Sequence, residues 1–269
     1  MVNASSINKK ELLTLNNLST GYHTNRNKFL LHSEIDTHIA ENELIALLGP
    51  NGAGKSTLMR TLAGMHPSLN GSVVCNGKDI NHMSNRERAR NIAMVLTDKI
   101  DDRYLTAVDI VGTGRYPHGS FMGKLNSQKD MEIISNAIEL VGANEFKDRY
   151  FYTLSDGEKQ RVMIARAIAQ DTPLIFLDEP TAFIDSPGKV QIINLLGELV
   201  KNHNKSILLT THDTELALNY ASKLWLLGKE NMFIVGKPDK LVNDGVINKL
   251  FDIDGVSFNK RTRRFESIG

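Results

Sequence analysis

A glycine-rich run, Gly49-Pro50-Asn51-Gly52-Ala53-Gly54-Lys55-Ser56-Thr57, lies between an unbroken apolar stretch, Leu44–Leu48, and a helix-forming stretch, Ser56–Ala63. It fits the pattern G-x-x-x-x-G-K-[ST] in the strand–loop–helix setting that the pattern requires. No other feature of the chain restricts the fold as much. An apolar run without alternation is expected where a strand is buried on both faces of a sheet. The chemistry is equally narrow. Glycines let successive backbone N–H groups turn inward toward phosphate oxygens. The helix start adds partial positive charge. Lys55 brings a full charge to the terminal phosphates of a polyphosphate, and the Ser56 hydroxyl can ligate Mg²⁺.

A loop of this kind needs an acidic partner for the metal. Leu174-Ile175-Phe176-Leu177-Asp178-Glu179 supplies one, an apolar strand ending in two carboxylates. Side chains at the C-terminal end of a parallel strand face the ligand crevice. Asp178 then holds Mg²⁺, directly or through water, and Glu179 polarises the attacking water as general base. The surrounding pattern alternates strands with helices. Strands are expected at Leu12–Leu15, Ile35–Ile39, Leu44–Leu48, Leu174–Leu177 and Ile207–Thr210. Helices are expected over 127–142 (Ser127 as cap, Met131, Ile134, Ile138 and Val141 on one face, Gly142 as stop), Asp156–Gln170 and about Lys189–His203. Such alternation indicates a mostly parallel sheet and an α/β fold. Residues from about 98 to 165 read as mainly helical. The stretch 224–269 holds only short strand-like pieces, Leu224–Leu227 and Met232–Val235.

Composition removes several alternatives. At 269 residues the chain forms one large domain or two small ones. Lys+Arg 32 against Asp+Glu 31 leaves a net charge of +1, so there is no electrostatic case for nucleic acid. The single cysteine, Cys75, excludes an internal disulfide and suits a reducing compartment. Residues 1–10 are polar, without a signal peptide's apolar core. No apolar run approaches the roughly 20 residues a membrane-spanning helix needs. The expectation is a chain that works at a membrane only through a partner.

One more segment stands out, Leu154-Ser155-Asp156-Gly157-Glu158-Lys159-Gln160-Arg161, about twenty residues before Asp178. Alone it is a Ser N-cap with a capping-box Glu. Beside the phosphate loop and the acidic strand end, it makes the sequence resemble the ATP-binding-cassette (ABC) ATPases over nearly its whole length. Residues 154–158 are similar to the family's L-S-G-G-Q signature, with Asp156 and Glu158 as departures and Ser155 and Gly157 retained. Thr181-Ala182-Phe183-Ile184-Asp185 resembles the family's D-loop. His212, after the strand Ile207–Thr210, matches the switch histidine that contacts the γ-phosphate. Tyr22 stands where the family places an aromatic that stacks on adenine. At the end of the strand Ile92–Leu96 the family carries a metal-sensing glutamine, and here Thr97 and then Asp98 follow. Either a water bridges from the shorter Thr97, or Asp98 substitutes.

The resemblance implies a P-loop core with a mostly parallel sheet, an N-terminal antiparallel β subdomain and an inserted helical subdomain. It implies a flexible tail (1–10), a single ABC domain (11–245, with the helical part at about 98–165) and a C-terminal extension (246–269). ATP and Mg²⁺ are the expected cofactors. ATP is expected between two copies of the chain, with Ser155 and Gly157 of one covering the γ-phosphate held by Gly49–Thr57 of the other; Asp185 is expected to join the nucleotide site. Arg86–Arg90, Val111–His118 and Ala182–Asp185 are similar to the importer branch for iron-siderophores, haem and vitamin B12; the bland alternative is that they shape a groove for any membrane partner. That branch implies a separate transmembrane permease, an indirectly linked extracytoplasmic substrate-binding protein and a place on the cytoplasmic face of the inner membrane. The competing readings are a soluble ABC ATPase, for example in iron–sulfur cluster assembly, and an ATP-holding module without turnover, against which Glu179 argues.

Overall fold

The computed structural model describes residues 9–23, 28–97, 103–119, 128–229, 231–251 and 254–267. The chain runs through β1 (Glu11–His23), β2 (Lys28–Ala40), β3 (Leu44–Leu48), α1 (Lys55–Leu62), β4 (Asn70–Cys75) and β5 (Lys78–Asp79). Next come α2 (Asn85–Asn91), β6 (Ile92–Val95), α3 (Ala107–Thr113), α4 (Gln128–Leu140) and α5 (Asp156–Ala169). They are followed by β7 (Leu174–Leu177), α6 (Ser186–Asn202), β8 (Ser206–Thr210), α7 (Thr214–Tyr220), β9 (Lys223–Leu227) and β10 (Phe233–Gly236). The last elements are α8 (Pro238–Asn243), α9 (Val246–Leu250), β11 (Val256–Asn259) and β12 (Arg264–Ser267).

Six strands form the central sheet in the order β10-β9-β3-β8-β7-β6. Every neighbouring pair from β9 to β6 is parallel, and β10 alone adds antiparallel at the edge. The apolar runs are unbroken because each strand feeds two cores. Leu44, Ala46 and Leu48 of β3 join one cluster, with Ile175 and Leu177 of β7 and Ile207 and Leu209 of β8. Ile45 and Leu47, with Leu174, Phe176 and Leu208, join the other. Side chains alternate across a strand, so both sets must be apolar when both faces are covered. Helices α3 to α7 supply much of the first cluster, while α1 and the N-terminal strands supply much of the second.

The antiparallel N-terminal sheet has the order β2-β1-β4-β5. Helices α3, α4 and α5 contribute Val111, Ile138 and Val162 to one buried group. β11 and β12 form a hairpin whose Phe258 and Phe265 meet edge to face, with centroids 5.3 Å apart. Arg264 makes two hydrogen bonds to Glu215, at 2.9 and 2.7 Å, and so ties this hairpin to α7.

β3 and β7 span the expected residues, and α5 ends one residue short of its expected end. β1 and β2 are 13 residues each, far longer than the short strands expected. Register shifts around Leu15–Gly21 break the two-residue alternation by which a strand is read. α6 starts at Ser186 rather than Lys189, because the Asp185 carboxylate accepts the Gly188 N–H at 3.1 Å and caps the helix there. α2 buries no residue and so carries no apolar period; its Ser84–Glu87 capping box was the only local signal. Asp98 and the expected cap Ser127 lie outside the described residues, as do residues 1–8 of the expected tail.

Phe176 is fully buried at the centre of β7. Phe176→Ala is expected to cost about 3–5 kcal/mol through lost transfer energy and the cavity left behind. Urea unfolding measures it, and a loss below about 1 kcal/mol would show that the sheet is not packed as described.

Candidate active site

β3 delivers the chain into the glycine-rich loop from the middle of the sheet. Gly49 is buried where the loop leaves β3, and a Cβ there would come within 2.3 Å of the Leu227 carbonyl oxygen. Gly54 holds φ 86, a left-handed conformation that side chains disfavour, and it is the N-cap of α1. It brings no capping side chain. α2, α3, α5, α6 and α7 each have one. The first amides of α1 are therefore left for an anion arriving from outside the chain. Lys55 is 6% exposed, and its ammonium donates to the carbonyls of Gly49 and Pro50 at 2.9 and 3.1 Å. Burial lowers its pKa, opposed by the nearby charges of Glu179 and Asp178. The ammonium lies folded within the loop that a polyphosphate would fill.

Asp178 follows β7 directly and is 4% exposed. Its Oδ1 accepts hydrogen bonds from Ser56 Oγ at 3.1 Å and Thr210 Oγ1 at 2.7 Å. The next residue, Glu179, sits at φ 50, and its N–H donates to Thr210 Oγ1 at 2.9 Å. The Glu179 carboxylate meets His212 Nε2. Ser56, Asp178, Glu179 and His212 come from three separate segments and are linked at the C-terminal ends of neighbouring strands. The Ser56 hydroxyl and Asp178 carboxylate are hard oxygen donors that fit Mg²⁺. Among the described residues, no group of three or more His, Cys, Asp or Glu could cage a metal alone. A metal held between Ser56 and Asp178 would therefore need further ligands from outside these side chains.

The other expected residues lie elsewhere. Tyr22 is half exposed and stacks on Phe29, with centroids 5.3 Å apart and planes 19° apart. Thr97 is exposed, two residues beyond the end of β6. Asp185 caps α6. Ser155 caps α5: its hydroxyl donates to Glu158 Oε2 at 2.9 Å, and Glu158 N–H returns to it at 3.3 Å. Glu158 also pairs with Arg149 at 3.2 Å, and the Ser155 N–H and Arg149 hold its carboxyl below the usual range. No hydrogen bond or ion pair among the described residues links Ser155 or Gly157 to the phosphate loop. The capping box read from the sequence is present. Arg86 and Arg90 of α2 both donate to the Pro117 carbonyl, at 2.8 and 3.0 Å, so two segments singled out separately are joined.

Two contacts were not legible beforehand. Thr210 is the polar end of an apolar strand. His32, 2% exposed on β2, places Nε2 2.5 Å from the Ala53 carbonyl inside the loop. The carbonyl partner sets the tautomer, with the proton on Nε2. No local pattern marks His32, because its partner lies in a different sheet's turn.

The site and fold define a P-loop nucleoside-triphosphate hydrolase. Residues 32–182 match the family model described as ABC transporter. An ABC transporter ATP-binding protein of Methanocaldococcus jannaschii is 34% identical over 255 residues, covering 95% of this chain and 86% of that one. The iron(3+)-hydroxamate import ATP-binding protein of Bacillus subtilis is 34% identical over 221 residues, covering 82% of each. A solved metal-chelate type ABC transporter in an inward-facing conformation superposes with a TM-score of 0.79 at 26% identity, covering 96% of each chain. The chain belongs to the ABC transporter family as an ATP-binding subunit with ATPase activity.

Burial pushes the His32 imidazole below its ordinary 6.5. The fold holds it neutral, whereas the unfolded chain takes up its proton as pH falls through 6.5. The unfolded state then binds more protons, so stability is full above 6.5 and is lost on acidification. His32→Gln is expected to flatten the fall in unfolding free energy between about pH 7 and about pH 5. Denaturant titrations across that range check it; an unchanged slope refutes it.

Proposed function

We propose that this chain is the ATP-hydrolysing subunit of an importer that takes up an iron chelate (a siderophore complex or haem) or vitamin B12 through separate membrane subunits. The observation that carries the catalytic reading is the chain of contacts from Ser56 through Asp178 and Thr210 to Glu179 and His212 at the mouth of the loop. The uncapped start of α1 and the amides of Gly49–Thr57 bind the phosphates, with Lys55 released from its loop carbonyls to meet the β and γ groups. Ser56 and Asp178 would hold Mg²⁺, and either Thr97, through a water, or Asp98 would complete the metal contact. Bound magnesium offsets phosphate charge. Glu179 accepts the proton of the attacking water, and His212 orients Glu179 and contacts the γ-phosphate. Tyr22 stacks on the adenine.

Ser155 and Gly157 of a second copy cover the γ-phosphate, and Asp185 joins the nucleotide site; ATP is then shared across a two-fold dimer. Loss of the γ-phosphate removes those contacts and separates the halves. Within each copy, residues 11–245 act as one ABC domain, with the helical part at about 98–165. The joined Arg86–Arg90 and Val111–His118 segments shape a surface for the permease. No helix among the described residues is long and apolar enough to cross a membrane. We place the chain at the cytoplasmic face of the inner membrane, held by the permease and served indirectly by an extracytoplasmic substrate-binding protein. The hydroxamate-importer relative and the metal-chelate structure support this branch over iron–sulfur assembly.

Glu179→Gln is expected to keep ATP affinity, lower turnover by at least about 100-fold and accumulate an ATP-bound dimer on gel filtration. Hydrolysis at the parental rate would remove Glu179 from the mechanism. Lys55→Ala should weaken ATP binding by roughly two orders of magnitude, since the triphosphate loses a buried cation. Titration with labelled nucleotide decides it, and unchanged affinity refutes it. Co-purification of the untagged membrane permease tests the importer reading; recovery of soluble partners only would overturn it.

A further inference from the structure

Thr210 stands where the site's two acids are held together. β8 lies between β3 and β7, with Thr210 opposite Leu47 on one side and Leu209 opposite Leu177 on the other. Thr210 is therefore the first residue of β8 past the end of β7, level with Asp178. It is fully buried. Its hydroxyl has one proton, and its two neighbours assign that proton unambiguously. The Glu179 N–H, at 2.9 Å, can only donate, so the hydroxyl proton goes to Asp178 Oδ1 at 2.7 Å.

We propose that Thr210 is a positioning residue for metal binding and water activation, holding the Asp178 carboxylate and the Glu179 backbone in one geometry. Ser56 and Thr210 both donate to Oδ1. Two donors on one oxygen restrain the rotation of the carboxylate and leave the other oxygen as the one that would meet a metal. On the other side, Glu179 sits at φ 50, a conformation non-glycine residues rarely hold without outside support. The Thr210 hydroxyl takes the N–H of that strained residue and so sets where its carboxylate points. Two residues further on, His212 meets the same carboxylate. Positions 210 and 212 thus hold Asp178, the Glu179 backbone and the Glu179 side chain from one strand exit. Valine keeps the shape and strand preference of threonine, so Thr210→Val removes the hydroxyl and its two hydrogen bonds while leaving the packing of β8 in place.

The proposal rests on Asp178 as the metal partner and Glu179 as the base, and the test separates the two. Thr210→Val, Thr210→Ser and Asp178→Asn are compared in the full chain. Mn²⁺ binding to the ATP complex is read by electron paramagnetic resonance, ATP affinity is read in EDTA, and kcat and KM are read with Mg²⁺. Thr210→Val is expected to weaken Mn²⁺ binding by about 10- to 100-fold, the usual effect of losing a hydrogen-bonded partner behind a metal ligand. kcat should fall at least about tenfold, with KM and metal-free ATP affinity within about twofold of the parent. Thr210→Ser should restore both metal affinity and kcat. Unchanged Mn²⁺ affinity and kcat in Thr210→Val overturn the proposal. So does an equal loss of metal-free ATP binding, or failure of serine to rescue, because either marks a packing role. If Asp178→Asn binds Mn²⁺ like the parent, the underlying site reading falls as well. If Asp178→Asn loses the metal while Thr210→Val does not, only the role of Thr210 falls.

Discussion

The buried carboxylate of Asp178 organises this molecule's chemistry. A charge at 4% exposure is tolerated only when it is fully hydrogen-bonded or paired. Here Ser56 from the loop and Thr210 from β8 donate to it, its N–H reaches the Val95 carbonyl at 2.9 Å, and the Lys55 ammonium contributes an opposing field. These contacts come from the exits of β3, β6, β7 and β8. The acid therefore fixes how four strand ends sit relative to one another, and the sheet in turn fixes the acid. Hydrogen bonds to a charged group are individually worth about 1.5–3 kcal/mol, so losing either hydroxyl leaves a costly unsatisfied charge.

The loop between β3 and α1 is held in shape by the chain's own contacts. Its backbone turn is made by the chain itself, with Gly54 left-handed and the His32 imidazole under Ala53. Lys55 donates to two loop carbonyls. In the proposed function, nucleotide binding would exchange these contacts of Lys55 for phosphate, beside a helix start that no side chain caps. Glu179 and His212 are likewise engaged with each other. In the mechanism proposed above, a γ-phosphate would compete for that histidine and so move the carboxylate proposed as the base.

The signature segment shows the opposite arrangement. Ser155 is exposed, yet its hydroxyl and amide are already in a closed capping box with Glu158. Glutamate in place of the family's usual glutamine makes that box charge-assisted, and Arg149 offsets the added charge. Phe183, within the segment Thr181–Asp185, is 82% exposed at φ 62. Both segments present exposed residues, as the shared-ATP dimer proposed above would require.

The division between sequence and structure follows the range of the forces involved. β3, β7 and α5 were legible because strand burial on both faces and helix capping act over a few residues. The loop, Asp178 and Glu179 were legible because their chemistry demands particular residue types in order, whereas His212 was legible only through the family resemblance. The long β1 and β2 were not, since bulges erase the alternation, and α2 was not, since it buries nothing. His32 and Thr210 carry no local mark at all: one supports a loop 21 residues away and the other an acid 32 residues away. By itself the sequence determined the covalent order of loop, acids and histidine, and the apolar runs that demand a covered sheet. Only the tertiary structure decided which hydroxyl faces Asp178 and which imidazole faces Ala53. Those contacts depend on strand order in a parallel sheet, where neighbours in space are separated in the chain by whole helices.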